Sequence, residues 1–362
     1  MPATAFCPRL LSAALAALAG GSASAGVSFE FRWLDPEGVG FRAPGGVGAE
    51  RRDALERAGA YLSGVLDPAY DARVAFDVAG DETDDGTLAS AGAWFGGTAG
   101  PGFERMGDVQ RKVLFGDEAD PDPDAADGSV SWNFEDHAWE TGASFGPGEQ
   151  DFLSTAIHEL THTLGFASEV NRDGFGFDGD APGTPAAWAP FDEWLVDGDG
   201  NPVIGADAAL DAAVWLGAST GGEGAAGLAF AGPEAVAANG GEPVYLHSPE
   251  QWEPGSSASH LDGGVYHGLG GHPVYLMNAE ARSAEGEEVR VLSAVELGIL
   301  RDLGYRTAGA GTAAALRPVA APAPAALAGG LALLLGLGAG RRPRVGGLRD
   351  PLSPPRRPRS AA

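Results

Sequence analysis

The segment HELTHTLGF at residues 158–166 contains the side chains best suited to chemistry. His158 and His162 are four residues apart, so a helix would place both imidazoles on one face, where they can share one metal ion. Glu159 lies beside them and is suited to accept a proton from a metal-bound water, whose pKa zinc lowers to about 7. The spacing therefore predicts a hydrolytic zinc site, in preference to two surface histidines on an ordinary helix.

The third metal ligand is not evident from this segment. A catalytic zinc site takes three protein ligands and keeps one position open. In the extended motif HExxHxxGxxH, the third histidine follows the glycine by three residues. Gly165 fits this pattern, but Ser168 stands at the ligand position, and a serine hydroxyl is a poor zinc ligand. We therefore expect the third ligand to come from elsewhere in the chain, where five histidines are available: His137, His247, His260, His267 and His272.

Two downstream segments, SSASHLD (256–262) and YLMNAE (275–280), complete a recognisable pattern with HELTHTLGF. The chain resembles the leishmanolysin-type metzincins, which are zinc proteases. In that family a long insertion separates the helix motif from the third histidine, and a Leu-Met turn follows. The resemblance implies that His260 is the third zinc ligand and that Met277 is the methionine of the turn below the metal.

The resemblance also implies an α+β fold of the metzincin-like zincin type. A twisted sheet and the active-site helix are expected to form an upper part, and a loop-rich lower part to carry His260 and Met277. His267 and His272 are rivals for the third ligand, because the stretch YHGLGGHPVYLM puts both near the expected turn. The chain's own residues leave this choice open.

The elements that must position these side chains can be predicted from periodicity. Alternating apolar and polar residues indicate strands, whereas apolar residues at spacings of three and four indicate amphipathic helices. The pattern predicts strands at 26–35, 72–80, 109–116 and 130–134, helices at 49–66, 148–166 and 292–305, and a hairpin at 191–204. Gly165 is placed to end the central helix.

Composition narrows the classes of partner. The formal net charge is −27, which opposes nucleic-acid binding because that requires a basic face. The only cysteine is Cys7, so a processed, secreted protein would hold its metal through His, Asp or Glu. The partner implied by the resemblance is a protein or peptide substrate. The acidic segments 117–127 and 197–201 leave calcium as a weaker alternative to a solvated loop and a hairpin turn.

Both ends of the chain carry targeting patterns. Residues 1–25 are typical of a signal peptide, with a basic residue, a short apolar run and the small-residue site Ala-Ser-Ala. An Ala/Pro linker is predicted at 309–324, and an apolar segment with an arginine cluster at 325–344. The latter resembles a PEP-CTERM sorting segment and could also be a simple membrane anchor. Residues 345–362 are predicted to be a disordered tail.

The function expected from these patterns is that of a secreted or surface-anchored zinc endopeptidase, located in the cell envelope or outside the cell. Two alternatives remain open. One is a catalytically inactive relative that serves as a surface adhesion or matrix protein. The other is a zinc hydrolase with a non-peptide substrate.

Overall fold

A computed structural model describes residues 26–308, apart from 81–85, 98, 118–121, 123, 145, 177–178, 223–226, 267–273 and 280–288. The predicted signal peptide (1–25), linker (309–324), apolar segment (325–344) and tail (345–362) lie outside the described residues. None of the helices in the described part of the chain has the length and apolar character needed to cross a membrane.

The described residues form a mixed α+β structure, as expected. Its helices are α1 (Val47–Val65), α2 (Asp108–Phe115), α3 (Phe152–Thr163), α4 (Ala212–Ala218), α5 (Pro233–Ala238) and α6 (Ala294–Asp302). Its strands are β1 (Gly26–Trp33), β2 (Asp71–Gly80), β3 (Ala89–Ala93), β4 (Gly128–Trp132), β5 (Ala138–Glu140), β6 (Glu149–Asp151), β7 (Leu195–Val196), β8 (Ala229–Phe230) and β9 (Val244–Tyr245). We call residues 26–166 the upper part and residues 167–308 the lower part.

The main sheet of the upper part has four strands in the order β1-β2-β4-β3. The first three strands are parallel, and β3 pairs antiparallel with β4. The strands form because Val74, Phe76 and Val78 alternate along β2 and are all buried. Since β3 is the last strand in this order, one of its edges has no neighbour within the sheet.

Helix α1 packs on the sheet and against α3. Its apolar residues Leu55, Ala58 and Leu62 recur at helical spacing and are fully buried. Gly59 lets the helix approach β1 closely, since a Cβ at this position would lie 2.9 Å from the Cβ of Phe29. Helix α1 therefore packs against both the sheet and α3 and fixes the position of α3 relative to the sheet.

An aromatic cluster fixes the start of α3 against the sheet. Trp132, at the end of β4, and Phe152, the first residue of α3, stack with ring centroids 4.0 Å apart. Phe41 packs edge-on against Phe134 at 5.0 Å. Both Trp132 and Phe152 are fully buried, so the helix cannot shift along the sheet without opening this cluster.

The lower part contains mostly turns and short elements. Strands β7, β8 and β9 form a small antiparallel sheet, and α5 packs against α6. Large aromatic side chains supply its core, among them Trp188, Phe191, Trp215 and Phe230, which are all fully buried. The lower part is therefore held together by side-chain packing more than by long helices and strands.

One sequence prediction of secondary structure was wrong, and another was right only in part. Residues 109–116 form most of helix α2 rather than a strand, because Val109 and Val113 bury one helical face and Gly116 (φ 67°) ends the helix. The predicted hairpin at 191–204 is present only in its second half: Val196 pairs antiparallel with Pro202 around the turn 197–201, whereas Pro190–Trp194 form a 3-10 turn. The short strand β7 that follows pairs with β8, since that pairing buries its two apolar residues.

Candidate metal centre

Helix α3 carries the HELTH motif and is held firmly at its first turn. Asp151 caps the helix, accepting hydrogen bonds from the backbone N–H groups of Leu153 (3.3 Å) and Ser154 (3.2 Å). The Arg290 guanidinium binds both oxygens of this carboxylate, at 2.8 and 2.7 Å. At the other end Gly165 adopts φ 88°, which lets the chain leave the helix and enter the lower part.

His158, His162 and His260 converge on one point. The Nε2 atom of His158 lies 3.0 Å from that of His260 and 3.1 Å from that of His162, and the His162–His260 distance is also 3.1 Å. Nitrogens bound at about 2.0–2.1 Å to a tetrahedral zinc would be about 3.3 Å apart. The three atoms are therefore spaced as the ligands of one small ion would be.

The hydrogen bonds of the rings determine which nitrogens can bind a metal. Each Nδ1 donates to a backbone carbonyl: His158 to Leu276 (2.8 Å), His162 to Phe166 (2.7 Å) and His260 to Ser256 (2.9 Å). A carbonyl only accepts, so each proton is on Nδ1 and each Nε2 presents its lone pair. Three lone pairs aimed at each other are repulsive unless a cation lies between them, so the donor set fits zinc.

Burial keeps the three imidazoles neutral. It lowers the pKa of His158 to about 4 and that of His162 to about 3, with the neighbouring His158 as a further cause for His162. The pKa of His260 is also lowered well below its usual value, first by burial and then by the other two histidines. Neutral imidazoles are the form that ligates metals.

Glu159 lies in the same cleft, which has a volume of about 910 Å³. Burial raises the pKa of Glu159 to about 8, opposed by a hydrogen bond from the N–H of Ala91 in β3. A divalent cation at the histidines would act in the same direction as that N–H and favour the carboxylate. The edge strand thus contacts the candidate general base directly.

Loops of the lower part hold His260. The His247 N–H donates to the His260 carbonyl at 2.9 Å, and the Ala258 N–H donates to the His247 carbonyl at 2.9 Å. Ala258 is fully buried and adopts φ 66°, a conformation that costs an ordinary residue free energy. This bend two residues before the ligand turns the chain towards the metal point.

Ser168 has a structural role that its sequence position did not suggest. Its N–H donates to the Ser259 hydroxyl at 3.2 Å, directly before His260. The Ser168 hydroxyl donates to Asp192 at 2.7 Å. Where the extended motif has its third ligand, this chain therefore has a link to the segment that brings His260.

Met277 is fully buried next to the site. Its carbonyl accepts from the Leu261 N–H at 2.8 Å, and its own N–H donates to Glu296 at 2.7 Å. Glu296, which is buried in α6, also accepts from Ser293 as part of a capping box. The S-x-x-E pattern of this box was readable in the sequence, but its contact with the Met277 turn was not.

The other candidate residues are placed elsewhere or are not described. His267 and His272, the rival ligands, lie outside the described residues. His247 pairs with Glu253 at 2.9 Å, and His137 packs edge-on to Trp139. In the described part of the chain, the three converging histidines are the only group of three or more His, Cys, Asp or Glu residues with metal-binding spacing.

The acidic segments considered for calcium make other contacts. Asp127 binds Lys112 at 2.7 Å and the Ala75 N–H at 2.7 Å. Asp197 closes its own turn by accepting from Asp199 and Asn201. The contacts of Asp197 support the hairpin turn expected there, whereas Asp127 is buried in an ion pair and is not part of a solvated loop.

The three histidines line the cleft together with β3, α3 and the segments around Ser256 and Tyr275. No family model matches the sequence, and no curated protein is significantly similar to it.

Proposed function

We propose that this chain is a zinc-dependent endopeptidase of the metzincin type, with His158, His162 and His260 as zinc ligands and Met277 as the turn residue below them. The observation that carries the proposal is the convergence of three unprotonated Nε2 atoms within 3.0–3.1 Å of one another. A carboxylate, Glu159, lines the same cleft. Three neutral imidazoles with one adjacent acid form the donor set of hydrolytic zinc sites.

Zinc, when bound, would polarise the scissile carbonyl and acidify a water molecule. Glu159 would accept, on a carboxylate oxygen, a proton from the water that attacks the scissile carbonyl carbon, and would pass it to the amine that is released when the C–N bond breaks. The Ala91 N–H holds the Glu159 side chain. The backbone carbonyls that accept from the three Nδ1 atoms keep each imidazole in one orientation.

An extended peptide is the substrate that suits this cleft best. Strand β3 lines the cleft and is an edge strand, so its outer N–H and C=O groups can pair with a substrate strand. Such pairing recognises the backbone and leaves side-chain selection to the pockets of the cleft. A substrate main chain paired with β3 would run past Ala91, the residue that contacts Glu159. One of its peptide bonds would then lie near the three histidines.

The cellular setting of the proposal rests on the sequence. Export by the segment 1–25 and attachment through 325–344 remain predictions, and they place the enzyme in the cell envelope or outside the cell. Calcium binding stays a weaker prediction with no support from the described acidic residues.

Zinc content and peptide hydrolysis test the proposal together. We expect one zinc per chain in the purified protein and in Glu159→Gln, with hydrolysis of a quenched peptide about 10²–10⁴-fold slower in the variant, because the general base is lost. Chelation should abolish hydrolysis, and added zinc should restore it. Glu193→Gln, an exposed carboxylate outside the cleft, is the matched control and should retain full activity.

The alternatives correspond to other outcomes. A protein that binds zinc but cleaves no peptide in a broad library contradicts the endopeptidase proposal. It would favour the inactive surface protein or the enzyme with a non-peptide substrate. Hydrolysis that is unaffected in Glu159→Gln would contradict the assigned base while leaving the metal centre intact.

A further inference from the structure

One end of the cleft carries polar side chains that the proposed reaction does not use. They are Arg105, Gln110 and Glu169, which line the cleft beyond the C-terminal end of α3. Gln110 lies against Gly165, the residue that ends α3, since a Cβ at Gly165 would be 2.8 Å from its Oε1. This end is also the Ala93 end of β3, because Gly107 packs against Ala93.

Glu169 is the most unusual of these side chains. Its carboxylate forms no hydrogen bond or ion pair with any residue that the structure describes. Burial raises the pKa of Glu169 to about 7, and the neighbouring Asp192 and Arg105 shift it in opposite directions. A cationic guest would stabilise the ionised form of this carboxylate, which lacks a partner of its own among the described residues.

Gln110 supplies a second, independent observation. Only 1% of this residue is exposed, yet its Nε2 is buried without a hydrogen-bond partner. A buried amide without a partner is costly in a native structure. Rotation about the terminal torsion of the glutamine exchanges its NH₂ and oxygen, so either the N–H groups or the oxygen can face a guest in the cleft.

We propose that Glu169 and Gln110 form a subsite that binds a basic side chain, arginine or lysine, of the substrate. Glu169 supplies the anionic acceptor, and the Gln110 oxygen accepts a further N–H. The net charge of −27 favours the approach of basic substrates in general. This inference rests on the proposed peptidase function.

The direction of β3 indicates which side of the scissile bond the subsite serves. The strand runs from Ala89, opposite Trp132 and hence near the start of α3, to Ala93 near its end. A substrate strand pairs somewhat more stably when antiparallel, and it then has its N-terminal residues at the Ala93 end. The basic residue is therefore on the N-terminal side of the bond that is cleaved.

Matched peptides test the subsite. N-acetylated quenched peptides that differ at one position, with Arg, Lys, Leu or Glu N-terminal to the scissile bond, are compared by kcat/KM. We expect wild type to favour Arg and Lys over Leu by about 10–100-fold, the range for a hydrogen bond to a charged group. Glu169→Gln, which keeps the shape, should remove this preference while cleavage of the Leu peptide and zinc content stay unchanged.

Further variants separate a charge effect from a structural one. Glu169→Lys should reverse the preference towards the Glu peptide, and Gln110→Met should reduce the Arg preference severalfold with the Leu peptide unaffected. Glu193→Gln is the control and should keep the wild-type preference. Peptides with a free N-terminus test the other source of a cation, and a stronger response to the α-ammonium than to Arg overturns the side-chain assignment.

The failure of this inference can be told from the failure of the proposed function. Peptide cleavage without any preference for basic residues, or a preference that survives in Glu169→Gln, overturns the subsite and leaves the peptidase standing. A preference on the C-terminal side of the bond overturns the assigned direction. A zinc-loaded wild type that cleaves none of the peptides overturns the peptidase function, and the subsite with it.

Discussion

The upper and lower parts of the molecule bring the three candidate ligands to one point by different means. His158 and His162 come from a single turn of α3, whose ends are fixed by the Asp151 cap and by Gly165. His260 comes from a loop, which backbone pairing with His247 and hydrogen bonds through Ser259 hold in place. One part uses regular secondary structure, and the other uses a series of separate contacts.

This difference shows which candidate ligands depend on one element and which depend on several. A helix turn presents residues i and i+4 together wherever the helix forms, so two ligands depend on one element. The third ligand depends on links between segments distant in sequence, such as those between Ser168 and Ser259 and between Met277 and Glu296. We therefore expect the position of His260 to depend on more segments of the chain than the positions of His158 and His162 do.

The largest effect is expected from the lower-part ligand itself. His260→Ala should weaken zinc binding on the order of 10³-fold, about 4 kcal/mol, because the 10–16 kcal/mol of a structural zinc site is shared among four ligands. Isothermal titration of metal-free protein measures this change. His247→Ala is the matched control and should retain zinc much better. Undiminished affinity in His260→Ala would assign the third ligand to another residue, such as His267 or His272.

The next largest effect is expected from removing the N-terminal cap of α3. Asp151→Ala should lower the free energy of unfolding by about 3 kcal/mol, because it removes a helix cap and leaves the half-buried Arg290 without its carboxylate. Arg290 keeps the carbonyl of Gly142 as an acceptor at 2.9 Å, which limits the cost. Urea denaturation should show only about 1 kcal/mol for Asp211→Ala, an exposed cap of α4. Equal losses in the two variants would contradict a special role for the Arg290 pair.

A buried acid in the lower part should make stability depend on pH. Burial raises the pKa of Asp192 to about 7, so folding favours its protonated form. The stability that this gives is fully present below the unfolded pKa of about 4 and is lost as pH rises towards 7. Relative to Asp192→Asn, wild type should therefore lose roughly 2–4 kcal/mol between these values. Unfolding free energies are measured by denaturation at each pH. If they change equally with pH in wild type and in Asp192→Asn, the titration of Asp192 is excluded.

The smallest effect concerns the backbone next to His260. Ala258→Gly should change the free energy of unfolding by less than about 0.5 kcal/mol, because relief at a positive φ offsets the lost methyl and the added chain entropy. Ala156→Gly, at a buried position in α3, should cost about 2 kcal/mol, since no strain is relieved there. Thermal denaturation compares the two directly. A similar cost at both positions would show that the Ala258 bend stores no strain.

Part of the structure could be predicted because its signals are local. The HELTH spacing, the glycine that ends α3 and the α6 helix are encoded within short windows, and periodicity is sufficient to find them. Helix α2 was mistaken for a strand because its apolar residues Val109, Val113 and Leu114 are few and close together. The 3-10 turn at Pro190–Trp194 was missed because aromatic residues such as Phe191 are typical of strands. Only the packing of the lower part, which buries Phe191, shows that the segment is a turn.

The sequence by itself determined the available chemical groups: two imidazoles and a carboxylate on one helix, in a strongly acidic chain. Whether His260 meets the other two ligands was decided by the tertiary structure, because 98 residues separate it from His162 and no local periodicity spans that distance. The same holds for Ser168, Glu296 and Glu169, whose roles depend on which segments fold against them. A helix turn carries its own geometry in its hydrogen bonds, whereas a loop takes its geometry from whatever it packs against.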